Sequence, residues 1–279
     1  MEKKIESLRN SIKQNPNLSE EFKCNLGTLT DTMVTVFPNY DYSNYESILR
    51  NLNIKNNSSL DSYSNYNKET NTIEFNTNKI FEDRIDLQHL FFNNLVSIGS
   101  GLDNTNPLLN GFTNGLTEVI SSTMNSDESM KKLNVLEMLG VQIFSKIASP
   151  ETLLNVYMTG DIGIVGVELE GLGIENEELN KLLNEFNNLE ENGFSNIECI
   201  MINMFSKVVN SKLSSGIITE EEIGLEYQDF SDMLIYSKSE LISMYPHHDF
   251  SSLTGFDNVK KTLDEVIVNT ENKEIEFTK

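Results

Sequence analysis

Histidine and cysteine, the side chains most used in metal chemistry, are scarce in this chain. Its 279 residues include three histidines (His89, His247, His248) and two cysteines (Cys24, Cys199). A helical zinc site needs two histidines at i and i+4, so that both rings reach one ion from one face. Position 93 is Asn, which leaves His89 without such a partner. His247 and His248 are adjacent in a turn led by Pro246 and cannot share an ion from a helix. The cysteines lie far apart among apolar neighbours (Phe22 and Leu26; Ile197 and Ile200), which predicts buried free thiols rather than a bridge or a nucleophile. The chain contains no Gly-x-Ser-x-Gly elbow, no phosphate-binding Gly-x-x-x-x-Gly-Lys-Ser/Thr loop and no calcium loop of the Asp-x-Asp-x-Asp-Gly type. Gly160-Asp161-Ile162-Gly163-Ile164-Val165-Gly166 has the look of a nucleotide loop, but follows a predicted helix where that motif requires a strand. Carboxylate pairs of the glycosidase kind arise by chance among 43 acids, and the pattern offers no barrel to hold them.

The elements that must position these groups are mostly helical. Ile5, Leu8 and Ile12 predict a first helix closed by Asn15-Pro16. Ser19 caps a second, whose Phe22, Leu26, Leu29 and Met33 share a face and which Phe37-Pro38 ends. A short helix follows around 45–52, and the Asn-, Ser- and Tyr-rich residues 51–72 read as a loop. Thr72–Asn76 alternates and is the clearest strand. Asp86 opens a helix with Leu87, Leu90, Phe91, Asn94, Leu95 and Ile98 at helical spacing, broken by Gly99, Gly101 and Pro107. Further helices are expected at 112–124, 130–147, from Ser149-Pro150 to about Gly160, and at 176–190, 195–213, 219–243 and 256–268. Thr219 and Glu222 form a capping box. The expected fold is mainly α with a small β element (α+β): residues 1–85 carry the N-terminal helices and the β element, and 86–279 form a mostly helical lobe continuous with them.

Three segments in fixed order carry a resemblance: the strand Thr72–Asn76, the helix Leu90-Phe91-Phe92-Asn93-Asn94-Leu95-Val96-Ser97, and Gly111-Phe112-Thr113-Asn114-Gly115-Leu116-Thr117-Glu118 after a Gly/Pro-rich loop. Together they resemble the core of a gluzincin, the thermolysin-like class of zinc metallopeptidase. In that class an edge strand precedes a helix reading Leu-Phe-His-Glu-x-x-His, and a second helix reads Asn-Glu-Gly-Leu-Thr-Glu. The two histidines and a glutamate from the second helix hold the zinc, and the Glu of the first helix deprotonates its water. In this alignment Phe92 and Val96 stand at the histidine positions, Asn93 at the general base and Asn114 at the third ligand. Glu118 is kept, at a position that supports a ligand histidine in that class. Residues 147–172 also resemble the helical lobe of such proteins. The resemblance implies a zincin-like short sheet plus helical bundle that has lost its metal and its catalysis, with no cofactor. Phe92, Asn93, Val96, Asn114 and Glu118 are then vestigial site positions, and the apolar pair lets facing helices close over the old site while Asn93, Asn114 and Glu118 hydrogen-bond across the two helices.

Charge narrows the partners. Twenty-one basic residues against 43 acidic ones give a net charge of −22. The 1–145 portion carries 12 basic and 18 acidic residues, and the rest 9 and 25. Nucleic acid and anionic lipid need cationic surfaces and are excluded as partners. Asn is abundant and Ala148 is the only alanine, as in proteins of AT-rich genomes. The N-terminus has no apolar signal region, and no apolar run approaches a membrane span, so a cytoplasmic site is expected. The expected function is that of a non-catalytic pseudoenzyme binding another protein or a peptide, added as an extra strand in a groove between the strand edge and the helices. The alternatives are an enzyme with an unrecognised carboxylate-based site and a structural, self-assembling protein.

Overall fold

A computed structural model describes residues 1–102, 107–124, 133–189 and 193–244. The fold is mainly α, with one small mixed sheet. Its contacts cluster into two compact units that interleave along the chain: Met1–Ser100 with Thr117–Leu133, and Gly101–Leu116 with the chain from Asn134 on. The sequence boundary near residue 85 falls inside the first of these.

The first unit begins with α1 (Glu2–Gln14), α2 (Glu20–Val36) and α3 (Ser43–Asn51). Ser19 caps α2 by accepting from the Phe22 N–H, and both α1 and α2 end where Pro16 and Pro38 dictate. A fully buried Asn15 joins α1 to α3: its Nδ2 donates to the Leu49 and Leu52 carbonyls at 2.7 and 2.9 Å, satisfying acceptors that the end of α3 would otherwise leave open. The Asn15 Oδ1 accepts from the Asn17 N–H, so the whole amide is used.

Residues 51–72 are not the loop that their composition suggests. They hold β1 (Asn53–Asn56) and β2 (Ser64–Asn67), which flank β3 (Thr72–Phe75) in the order β1-β3-β2. The β1–β3 pair is parallel with Ile54 opposite Ile73, and the β2–β3 pair is antiparallel with Tyr66 opposite Ile73. Only β3, with Ile73 and Phe75 buried, supplies the core. Its neighbours read Asn-Ile-Lys-Asn and Ser-Asn-Tyr-Asn and are strands because β3 pairs with them, not because of their own pattern. Asn71 makes the turn into β3 with φ 47°, a left-handed conformation that Asn tolerates. The short α4 (Thr77–Glu82) follows, and then α5 (Leu87–Gly99), capped by Asp86 as its sequence predicts.

The second unit holds the first turns of α6 (Asn110–Met124), then α7 (Val135–Phe144), α8 (Pro150–Thr159), α9 (Gly163–Gly171), α10 (Asn176–Asn187), α11 (Phe194–Ser214) and α12 (Glu220–Met244). Ser149 caps α8 and Gly160 ends it with φ 76°. The glycine-rich stretch after Gly160 turns directly into α9, so the likeness to a nucleotide loop is superficial. Thr219 and Glu222 make the expected contact: the Glu222 carboxylate accepts from the Thr219 N–H at 2.8 Å. The core is apolar, with Phe205 stacked on Phe230 at 4.0 Å and Phe112 edge-on to Phe144 and Phe186.

Both cysteines correct the sequence reading. Cys24 and Cys199 are free but exposed, because helix phase turns each away from the face that buries Leu26 or Ile197. The expected turn at 246–248, with His247 and His248, and the expected helix at 256–268 lie outside the described residues.

Candidate functional site

In the first unit α5 carries the candidate positions. Asp86 fixes its start by accepting from the His89 N–H at 2.7 Å. From there the helix is buried on almost every side, with Leu90, Phe91, Phe92, Leu95, Val96 and Ile98 all in the core. Phe91 packs against Phe75 of β3 and Phe22 of α2, with ring centroids 4.9 and 5.5 Å apart. Asn94 donates to the Ser64 Oγ of β2 at 2.8 Å and so ties α5 to the sheet. The Tyr45 hydroxyl of α3 donates to the Leu95 carbonyl at 2.6 Å. The helix closes at Gly99, where a β-carbon would lie 1.8 Å from that same hydroxyl. Glycine is required there by close approach.

The polar centre of this packing is Glu118, on the part of α6 that belongs to the first unit. Its side chain is 0% exposed. The Oε1 accepts from His89 Nε2 at 2.7 Å and from the Leu133 N–H at 3.2 Å, while Oε2 accepts from Asn93 Nδ2 at 2.9 Å. An ionised carboxylate can only accept, which requires the His89 tautomer with its proton on Nε2. His89 and Asn93 are i and i+4 on α5, which brings imidazole and amide to the same side of the helix. Three N–H donors converge on one fully buried charge, the arrangement that makes such burial tolerable.

Asn93 and Glu118 thus meet, and Phe92 and Val96 are buried, 3% and 2% exposed. Asn114 falls in the second unit. It is half-buried and lines a polar hollow of about 360 Å³ with Asn110, Gly111, Glu137 and Asn187. Sequence reasoning missed His89, having weighed it only as a metal ligand lacking a histidine partner. The signal that finds it is the His89/Asn93 pair at one helical turn, together with a Glu on the next long helix.

These residues do not fit a zinc ion. Phe92 and Val96 have no donor atom, the Asn93 amide is spent on Glu118, and both oxygens of Glu118 are already engaged. Among the described residues no group of three His, Cys, Asp or Glu side chains is placed to hold a metal.

No family model, curated protein or solved structure matches the chain. The metallopeptidase resemblance therefore rests on the motif residues themselves. No described helix is long and apolar enough to cross a membrane. The first unit also has an open apolar hollow of about 400 Å³ between α2 and α5, lined by Phe22, Leu26, Leu29, Leu87 and Phe91. The edges of its sheet are β1 and β2, each four residues long.

Proposed function

We propose that the chain is a non-catalytic pseudoenzyme, built on a metallopeptidase-like scaffold and acting in the cytoplasm by binding another protein. The observation that carries this reading is the state of Glu118. General acid–base work needs a carboxylate that meets substrate or water, with a lone pair free to take a proton. Glu118 is sealed from solvent and its oxygens hold His89, Asn93 and the Leu133 amide. It works as a fastener between α5 and the chain around it. Phe92 and Val96, at the positions that resemble zinc ligands, add apolar packing where the relatives of such a scaffold hold a cation. The acidic surface favours protein partners over polyanions.

Metal analysis of the purified full chain, with a peptidase assay with and without added Zn²⁺, tests this. The expected result is substoichiometric zinc and no cleavage under either condition. Stoichiometric zinc together with zinc-dependent cleavage overturns the reading.

A further inference from the structure

Helix α12 has two heptad stripes on opposite faces. Ile223, Tyr227, Phe230, Leu234, Ser237 and Leu241 alternate at spacings of four and three and are all buried within the second unit. Leu225, Gln228, Asp232, Ile235, Ser239 and Ile242 alternate at three and four and are all exposed. A helix packed on one side is expected to be polar on the other. Here the outer stripe holds Leu225, Ile235 and Ile242 at 67, 47 and 50% exposure, with Tyr236 beside it at 43%. Leu225 and Ile242 are 17 residues apart, about 26 Å of helix at 1.5 Å per residue.

The charges around this stripe define what fits it. Helix α12 has seven acidic residues and one lysine, and residues 134–244 have nineteen acidic against five basic. Asp229 and Glu226 are paired within the unit, to Lys146 at 2.6 Å and Lys212 at 3.0 Å. Glu221, Glu222 and Asp232 face solvent. We infer that the outer face of α12 docks a basic amphipathic helix of a partner protein. Apolar residues at heptad spacing would meet Leu225, Ile235 and Ile242, and flanking Lys or Arg would meet the acids. A second copy of this chain is disfavoured, because pairing two such faces sets Asp232 and its neighbours against like charges. The C-terminal residues 245–279 carry four lysines and seven acids, so they also lack the complementary sign.

This inference rests on the reading of the chain as a binding protein and names the face involved. The test uses the full chain and a fluorescently labelled synthetic helix with Leu and Ile at heptad positions and Lys on its flanks, alongside the same helix with Glu for Lys. The Lys helix is expected to bind, and the Glu helix is not. Raising salt from about 50 to about 300 mM should weaken binding at least about tenfold, as exposed charge pairs are screened. The double variant Leu225→Ser/Ile235→Ser, both at exposed positions, should weaken it at least about tenfold with an unchanged circular dichroism spectrum. Equal binding by this variant would mean that the helix is held by charge alone, and overturns the inference. So does equal binding of the Glu helix, absence of binding because the chain's own residues cover the face, or a concentration-dependent dimer abolished by Ile235→Ser. None of these outcomes produces zinc or peptidase activity, so failure here is distinguishable from failure of the pseudoenzyme reading.

Discussion

Both units bury their central helices in apolar packing, but they differ in the polar contacts added to it. In the first, α5 meets its surroundings through an imidazole, two side-chain amides and a tyrosine hydroxyl, each with a named partner: His89 and Asn93 on Glu118, Asn94 on Ser64, and Tyr45 on the Leu95 carbonyl. In the second, α11 and α12 meet through Phe205, Tyr227 and Phe230, and Met201, Met204 and Leu234 of the same helices are buried as well. The buried hydroxyls of Ser231 and Ser237 there have no hydrogen-bond partner among the described residues. Directional polar contacts fix one geometry and tolerate no substitute, whereas apolar packing is sensitive to volume and tolerant of shape. The first unit is therefore the more exacting in chemistry and the second in bulk.

The largest expected effect is in the second unit. Phe205→Ala removes a buried ring that touches both Tyr227 and Phe230 and should cost about 4 kcal/mol, read as a lower urea midpoint. Next comes Glu118→Gln, nearly isosteric, which should still cost about 2–3 kcal/mol. The new amide turns an NH₂ toward one of the three donors that the carboxylate accepts, leaving both unsatisfied. By contrast Met201→Leu, an apolar swap of similar volume at a fully buried site, should cost less than about 1.5 kcal/mol. If Glu118→Gln proved as mild as Met201→Leu in the same urea titration, the contrast between the units would collapse.

The smallest effect is one of pH. The Lys207 ammonium holds the Glu178 carboxyl below its ordinary range, and the Thr219 N–H does the same for Glu222. A carboxylate with a depressed folded pKa stabilises above its unfolded value and loses that contribution as pH falls through the folded one. Glu222 and Lys207 are exposed and Glu178 is half-buried at the surface, so the Glu178–Lys207 pair adds less than about 1 kcal/mol. Stability should fall gently as the solution is acidified below the ordinary carboxylate pKa, and Glu178→Gln should flatten that slope slightly in urea titrations at neutral and acid pH.

Much of the helical framework was legible because helix ends have local chemistry. Ser19, Asp86 and Ser149 each cap the helix that their sequence announces, and Gly160 and the prolines end helices where expected. β1 and β2 were not legible: eight residues with four asparagines and a serine have no strand signal, and pairing with β3 makes them strands. At the site, the metallopeptidase resemblance led to the meeting of Asn93 with Glu118. His89 lies one turn before Asn93 on the same face and reaches the same carboxylate, but was missed because it was weighed only as a metal ligand. The exposure of Cys24 and Cys199 was misread because apolar sequence neighbours on a helix point elsewhere.

The chain crosses between its units after residues 100, 116 and 133, and this sets an order of events during synthesis. His89 and Asn93 leave the ribosome well before the carboxylate they grip, and the Leu133 amide that completes the grip arrives later still. The first unit therefore waits with its polar fastener open while the opening segment of the second is already outside, and no truncation before residue 133 yields either unit whole.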